Sequence, residues 1–124
     1  MEFITGGAYQ GKLTFAKKKY GFGPEQIFPC TQDRIDFSYP CVTHIEEFAY
    51  GCVLRGTDPI AYFEAHRAEW AASVLICRDI FCGLVPMDAT QRAWREATGR
   101  LCQYLTREAG GVSRIFCGLE QRLK

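Results

Sequence analysis

Residues 2–20 of the chain read EFITGGAYQGKLTFAKKKY, and the segment GGAYQGKL at positions 6–13 decides the fold. This segment matches the pattern G-x-x-x-x-G-K and lies between a predicted strand at residues 2–5 and a predicted helix at residues 12–20. Glycines allow a tight loop whose backbone N–H groups converge on a phosphate, and the helix N-terminus adds its positive dipole end. The pattern therefore predicts a phosphate-binding loop, with a plain glycine-rich turn as the alternative.

Lys12 is the loop residue suited to the outer phosphates of a nucleotide, because its ammonium group ends a long, flexible side chain. The next position, where Ser or Thr usually binds magnesium, is occupied by Leu13, which has no oxygen. Thr14 follows, but one step along a helix turns a side chain by about 100°, so its hydroxyl replaces the missing one only if the loop shifts. The residues predicted to bind the nucleotide here are Gly6, Gly7, Ala8, Tyr9, Gln10, Gly11, Lys12, Leu13 and Thr14.

Strands and helices alternate along the rest of the chain, as apolar runs and helical periodicity indicate. The run SVLIC at residues 73–77 is apolar throughout, which is typical of a strand buried on both faces of a parallel sheet. The alternation predicts a single α/β domain over residues 1–124, a P-loop NTPase-like three-layer sandwich with a small, mainly parallel sheet flanked by helices. The other predicted elements are strands at 27–30 and 112–119, a polar loop at 31–40, and helices at 44–55, from 58 onward and at 88–108.

Capping residues mark the starts of these helices. Asp58 and Asp88 are predicted N-caps, because an Asp side chain accepts hydrogen bonds from the free N–H groups of the first turn. Thr43 and Glu46 match a capping box. We therefore assign Glu46, together with Glu47, to a helix cap and the surface, and keep them only as a minor alternative for a magnesium ligand.

Asp79 follows the apolar run at 73–77, at the edge of the sheet where ligands of open α/β proteins bind. We predict that it helps to hold magnesium, directly or through water, and that Asp79 and Lys12 are the catalytic residues of a phosphoryl transfer. The alternative for Asp79 is a solvated turn residue at the end of a strand.

The composition excludes several classes of protein. Of the 124 residues, 48% are apolar and 23% are charged, and 15 basic residues nearly balance 14 acidic ones. These values exclude a disordered chain, a collagen-like fibre and a coiled coil, and they argue against broad binding to nucleic acid or to an anionic membrane. No apolar run approaches the roughly 18 residues of a membrane span. From the first residues we expect no export signal.

The seven cysteines are many for this length, but none form a C-x-x-C pair. Their spacing argues against a common zinc site or a thioredoxin-like redox centre. An odd number cannot pair completely, and Cys77, Cys102 and Cys117 lie in apolar runs, where a free thiol behaves as a small hydrophobe. We therefore expect reduced, buried thiols in a cytoplasmic protein.

Four stretches resemble one known family. The start FITGGA with GK at 11–12 is similar to V-T-G-G-A-x-x-G-K-S, and DIFCGLVP at 79–86 is similar to E-V-G-x-G-I-V-P. The tail, CGL at 117–119 with Lys124, is similar to S-G-x-P-x-x-x-K. Where the family carries R-x-x-R-D-x-x-G-R-x-N-Q, this chain has Arg92, Arg95, Gly99, Arg100 and Gln103. Over roughly half its length, the chain thus resembles the adenosylcobinamide kinase / adenosylcobinamide-phosphate guanylyltransferase family of cobalamin biosynthesis.

The resemblance implies a P-loop α/β fold that uses GTP or ATP with magnesium and often assembles as a trimer, so a homo-oligomer is expected. The family phosphorylates a corrinoid side-chain hydroxyl and then transfers GMP through a covalent histidine intermediate. A nucleotide and a corrinoid substrate are therefore the implied partners. Arg92 and Arg95 are candidates for nucleotide binding or for a subunit boundary, with surface salt bridges to Glu96 and Glu108 as the alternative.

The chain also departs from the family pattern. It is shorter, Leu13 replaces the metal-binding Ser, and the segment His-His-Arg-x-x-Arg-Pro is missing. His66 with Arg67 only partly matches that segment, and we interpret His66 as an exposed helix histidine. We therefore do not expect guanylyl transfer. Three functions stay open: a kinase of the corrinoid type, a non-catalytic member that binds nucleotide or a partner subunit, and a P-loop kinase for an unrelated small alcohol.

Overall fold

A computed structural model describes residues 1–81 and 87–124. A short 3-10 turn at Pro24–Gln26 precedes the second strand. The elements, in chain order, are β1 (Glu2–Gly6), α1 (Lys12–Tyr20), β2 (Ile27–Pro29), β3 (Cys41–Thr43), α2 (Ile45–Arg55), α3 (Pro59–Ala65), α4 (Arg67–Trp70), β4 (Val74–Arg78), α5 (Ala89–Glu108), β5 (Gly111–Phe116) and β6 (Leu119–Arg122).

The described strands form one six-stranded sheet in the order β2-β3-β4-β1-β5-β6. β1 lies in the interior of the sheet and pairs in parallel with β4 on one side and β5 on the other. β2, β3 and β4 are also mutually parallel, whereas β6 returns antiparallel along β5 at the far edge. The sheet is therefore mainly parallel, as the sequence predicts, and the carboxyl ends of five strands meet along one edge.

Helices cover both faces of this sheet, because successive strand residues point to opposite sides. On one side, which we call the α1 face, Ile4, Ile76 and Ile115 pack with Ala16 of α1. On the other side, which we call the four-helix face, strand residues such as Phe3 pack against α2, α3, α4 and α5. The α/β class predicted from the sequence is thus present, with helices flanking a mostly parallel sheet.

The helix ends follow from local chemistry. The Asp58 carboxylate accepts a hydrogen bond from the Ile60 N–H at 3.0 Å, and the Asp88 carboxylate accepts one from the Thr90 N–H at 2.7 Å. α2 ends at Gly56, whose φ of 70° is readily adopted by glycine. Both predicted Asp N-caps are therefore confirmed. The helix predicted from residue 58 onward is divided, because α3 ends at Ala65 and Trp70 lies on the separate helix α4.

Two other predictions are wrong. The predicted last strand at 112–119 is divided at Cys117 and Gly118, where φ values of 51° and 77° reverse the chain into β6. Cys117 is therefore exposed on this turn rather than buried. The three-residue strand β3 was not predicted, because so short a segment has no periodicity to recognise. In the described part of the chain, no helix has the length and apolar content needed to cross a membrane.

Candidate functional site

The loop at residues 7–11 leaves the carboxyl end of β1 and leads directly into α1. Gly6, the last residue of β1, has a φ of 154°, and a Cβ atom there would lie 2.5 Å from the carbonyl oxygen of Ile115. Gly11 is the N-cap of α1 with a φ of 92°, and it has no side chain to cap the first turn. In the described part of the chain, no backbone group accepts a hydrogen bond from the N–H of Gly11, Lys12 or Leu13. These N–H groups remain available to a ligand.

The Lys12 side chain folds back over this loop. Its Nζ atom donates a hydrogen bond to the carbonyl oxygen of Gly7 at 2.6 Å. Burial lowers the pKa of Lys12, and the positive charge of Arg78 acts in the same direction, whereas the negative charge of Glu46 opposes the shift. An anion beside the ammonium group would favour its charged form, so binding of a phosphate would raise this pKa again.

The turn between β5 and β6 forms hydrogen bonds with Gln10 of the loop. The Gln10 carboxamide oxygen accepts a hydrogen bond from the Cys117 N–H at 2.6 Å, and the Gln10 carbonyl oxygen accepts one from the Gly118 N–H at 2.8 Å. Gln10, which we predicted to bind nucleotide, therefore uses both oxygens to fix the loop to the hairpin. The sequence contains no local signal for this contact, because 107 residues separate Gln10 from Cys117.

A cleft of about 320 Å³ opens beside the loop. Its loop side consists of residues that the sequence motif predicts, namely Ala8, Tyr9, Gly11, Lys12, Leu13 and Thr14. Its opposite side consists of Thr43, His44, Glu46, Ile76 and Arg78. The motif therefore identifies one wall of the cleft, and the second wall comes from the ends of β3 and β4 and the start of α2.

Glu46 is the main correction to the sequence analysis. Its side chain is only 1% exposed, and it does not cap α2. One carboxylate oxygen accepts a hydrogen bond from the Arg78 N–H at 3.1 Å, and the other lies 3.3 Å from Nδ1 of His44. The capping-box prediction is wrong because Thr43 belongs to β3 and His44 is the N-cap, so the Glu46 carboxylate is directed at β4.

The carboxylate of Glu46 and the imidazole of His44 shift each other's pKa. Burial by itself raises the pKa of Glu46, but hydrogen bonds from His44 and from the Arg78 N–H outweigh it, so the pKa is lowered. The hydrogen bond to Glu46 raises the pKa of His44 against the opposing effect of burial. His44 also has a φ of 59°, which is uncommon for a residue other than glycine. Each partner thus favours the charged form of the other at the rim of the cleft.

Asp79 lies next to the start of the loop, at the sheet edge where the sequence places it. Its N–H donates a hydrogen bond to the carbonyl oxygen of Gly6 at 2.7 Å, and its Oδ1 accepts one from the Phe81 N–H at 2.9 Å. One carboxylate oxygen thus shapes the turn after β4. The proposed role in magnesium binding and catalysis stays a prediction.

Arg92 and Arg95 lie near the start of α5. Arg92 donates to the carbonyl oxygen of Met87, and Arg95 donates to the carbonyl oxygen of Phe81, the residue that also contacts Asp79. The acidic neighbours named as alternative partners contact other arginines, Glu96 with Arg100 and Glu108 with Arg67. The role of Arg92 and Arg95 in nucleotide binding also stays a prediction.

The side chains that line the cleft provide few free oxygen ligands for a magnesium ion. Leu13 occupies the usual hydroxyl position and packs, half-buried, against the apolar cluster of the α1 face. Thr14 borders the cleft and is exposed. Among the residues that the structure describes, no three His, Cys, Asp or Glu side chains come together as metal ligands. The carboxylate inside the cleft, that of Glu46, is already engaged by Arg78 and His44. These residues do not fit the usual magnesium site of such a loop.

His66 lies away from the walls of the cleft, at the junction of α3 and α4. Its ring stacks on Tyr62 with centroids 4.3 Å apart, and its Nδ1 contacts Glu69. The segment at 82–86, which contributes to the family resemblance, falls outside the described residues.

Comparisons of the chain with models of known protein families and with curated proteins found no match.

Proposed function

We propose that the chain binds a nucleoside triphosphate, GTP or ATP, with its phosphates at the loop of residues 6–14. The observation that carries the proposal is the glycine loop itself, which joins an interior parallel strand to a helix and leaves N–H groups of Gly11, Lys12 and Leu13 directed to no backbone acceptor. Lys12 adds a positive charge within the same cleft. Converging N–H groups, a helix N-terminus and a cation together suit a phosphate group.

We further propose that the fold is of the P-loop NTPase type. The position of β1 between two parallel neighbours supports this, as does the loop at its carboxyl end leading into a helix. A homo-oligomeric state, which the family resemblance implies, and a cytoplasmic location, which the free cysteines of the described residues support, belong to the same proposal.

If the chain is an enzyme, the reaction that fits best is phosphoryl transfer to a hydroxyl group, with a corrinoid side chain as the acceptor. The acceptor hydroxyl oxygen attacks the γ-phosphorus and its proton passes to water, the bond from the γ-phosphorus to the bridging oxygen breaks, and the nucleoside diphosphate leaves with that electron pair. Lys12 would stabilise negative charge on the transferred group, and Asp79 would order the edge of the site.

The second candidate is a non-catalytic protein that binds nucleotide or a partner subunit. Leu13 favours it, because this side chain replaces a metal-binding oxygen by an apolar group. Mass measurement separates the two candidates. Incubation with adenosylcobinamide and GTP or ATP should add one phosphate to the corrinoid if the chain is a kinase, and nothing if it only binds.

Calorimetry with GTP, ATP and their non-hydrolysable analogues tests the binding proposal. Lys12→Ala should weaken binding by about 1.5–3 kcal/mol, the scale of a hydrogen bond to a charged group. Lys17→Ala is the matched control, since it removes the same charge from an exposed position of the same helix. Equal affinities in the wild type and Lys12→Ala would refute binding at this loop.

A further inference from the structure

Arg78 is the last residue of β4 and lies directly opposite Gly6, where the loop begins. Side chains two positions apart on a strand share a face, so Arg78 lies on the same face as Ile76, which packs on the α1 side. Both residues line the cleft together with Lys12. The Arg78 side chain is 38% exposed, so part of it reaches open space. The fold thus brings a second cation to the phosphate cleft.

The contact with Glu46 holds this arginine without using its donors. Nε of Arg78 lies 4.0 Å from Oε1 of Glu46, which is an electrostatic contact and too long for a hydrogen bond. In the part of the chain that the structure describes, the guanidinium group of Arg78 donates no hydrogen bond. A guanidinium group presents several N–H donors in a planar fork that matches the geometry of phosphate oxygens.

The charges in the cleft favour an anion. Lys12 and Arg78 are positive, Glu46 is negative, and His44 adds a further positive charge when it is protonated. The usual magnesium ligand is absent because Leu13 stands in its place, and Glu46 already contacts His44 and Arg78. Positive charge at this site therefore comes from side chains.

We propose that Arg78 is a further phosphate-binding residue and that, with Lys12, it allows the chain to bind the polyphosphate of a nucleotide without a divalent cation. The inference rests on the proposed binding of a nucleoside triphosphate at the loop. It goes beyond that function because it assigns phosphate binding to Arg78 on the second wall of the cleft. In this mode the arginine supplies the positive charge that a magnesium ion usually provides.

The experiment is a calorimetric titration of the full chain with GTP and with ATP, once in excess EDTA and once in excess magnesium. The wild type should bind equally tightly or more tightly in EDTA. Arg78→Gln should weaken binding in EDTA by roughly tenfold to a hundredfold, the loss of a charged hydrogen bond. Arg78→Lys should retain part of the affinity, and Arg100→Gln, on an exposed part of α5, should change nothing. Melting curves of each variant verify that it is folded.

Four results would overturn the inference. If the wild type binds GTP or ATP only with magnesium, the proposed function stands and the metal-independent mode is wrong. If folded Arg78→Gln binds as tightly as Arg100→Gln, Arg78 is not a phosphate-binding residue. If the wild type binds neither nucleotide in either buffer, the proposed function fails, and this inference fails with it. If Arg78→Gln does not fold, folded Arg78→Lys must bind more weakly than Arg100→Gln in EDTA, and equal affinities would count against the proposal.

Discussion

The two faces of the sheet are built for different tasks. The four-helix face contains large aromatic side chains, and Phe37, Phe63, Trp70 and Tyr104 pack there through tilted or edge-to-face contacts. The α1 face has a smaller apolar cluster, and its helix contributes one fully buried residue, Ala16. Burial of large apolar area stabilises a fold in proportion to that area. Most of the buried apolar area therefore lies on the four-helix face, and the polar cleft lies at the carboxyl ends of the strands, between the start of α1 and the start of α2.

The difference also appears in how polar groups are satisfied. On the four-helix face the indole N–H of Trp70 donates to the carbonyl oxygen of Phe63 at 2.8 Å, but the buried hydroxyl groups of Thr98 and Tyr104 have no hydrogen-bond partner among the described residues. At the cleft, the partly exposed Arg78 lies beside the buried Glu46, and Lys12 uses one of its three donors on the carbonyl oxygen of Gly7. A site that must exchange a ligand needs donors that are not permanently occupied. The comparison teaches that the large aromatic core lies away from the binding surface, which lies at the carboxyl ends of the strands and takes its second wall from the start of α2.

The strongest test of this separation is Trp70→Ala. Trp70 is 2% exposed and contacts Phe63 and Tyr104, so its loss should lower the free energy of unfolding by roughly 3–5 kcal/mol. Urea denaturation followed by circular dichroism measures the change. GTP affinity of the folded variant, titrated at low temperature, should stay as in the wild type. A loss of affinity in a folded sample would show that the two faces are coupled.

Leu13→Ser should have a smaller effect, and on the other face. Leu13 is half-buried in the α1 cluster, so the substitution should cost about 1–2 kcal/mol of unfolding free energy. The new hydroxyl restores the usual magnesium ligand, so nucleotide binding should gain a dependence on magnesium. Paired melting curves and titrations with and without magnesium measure both changes. A folded variant whose nucleotide affinity is the same with and without magnesium would argue for the non-catalytic candidate.

The pair of His44 and Glu46 should make stability depend on pH at the cleft. The pKa of His44 is raised from 6.5, so its contribution is complete below pH 6.5 and is lost as the pH rises through the folded value. The pKa of Glu46 is lowered from 4.5, so its contribution is complete above pH 4.5 and is lost as the pH falls through its folded value. The pair therefore stabilises the fold most between these limits.

His44→Gln tests this dependence, with denaturation measured from pH 5 to pH 9. The difference in stability between the wild type and the variant should shrink as the pH rises above 6.5. The effect should be small, because the His44 side chain is 55% exposed and water screens its charge. His66→Gln removes the other histidine and serves as the control. A stability difference that is independent of pH would mean that the His44–Glu46 pair does not respond to protonation.

The last prediction is that GTP does not modify the chain covalently. His66 is stacked on Tyr62 outside the cleft, so incubation with labelled GTP should leave the intact chain without a covalent GMP adduct. Mass spectrometry of the whole chain measures this. An adduct that disappears in His66→Ala would place chemistry on the four-helix face and would break the comparison between the two faces.

Local sequence determined the elements whose signals lie within one turn or one strand. α1 was predicted at its observed bounds because Gly11 and Gly21 flank it. Asp58 and Asp88 predicted the starts of α3 and α5, because an N-cap contacts residues only two or three positions away. The apolar run at 73–77 likewise predicted a buried parallel strand. The wall of the cleft that the loop forms was also predictable, because the glycines of the motif indicate the local backbone conformation of the loop.

Tertiary structure alone decided the other wall. Glu46 has the spacing of a capping box, yet its carboxylate contacts Arg78, which lies 32 residues away and becomes a neighbour only when α2 packs beside β4. β3 is three residues long, and pairing with β2 and β4 makes it a strand. Gln10 meets the turn at Cys117 only because β1 and β5 are adjacent. These contacts depend on the order of strands in the sheet, and no local pattern of residues encodes that order.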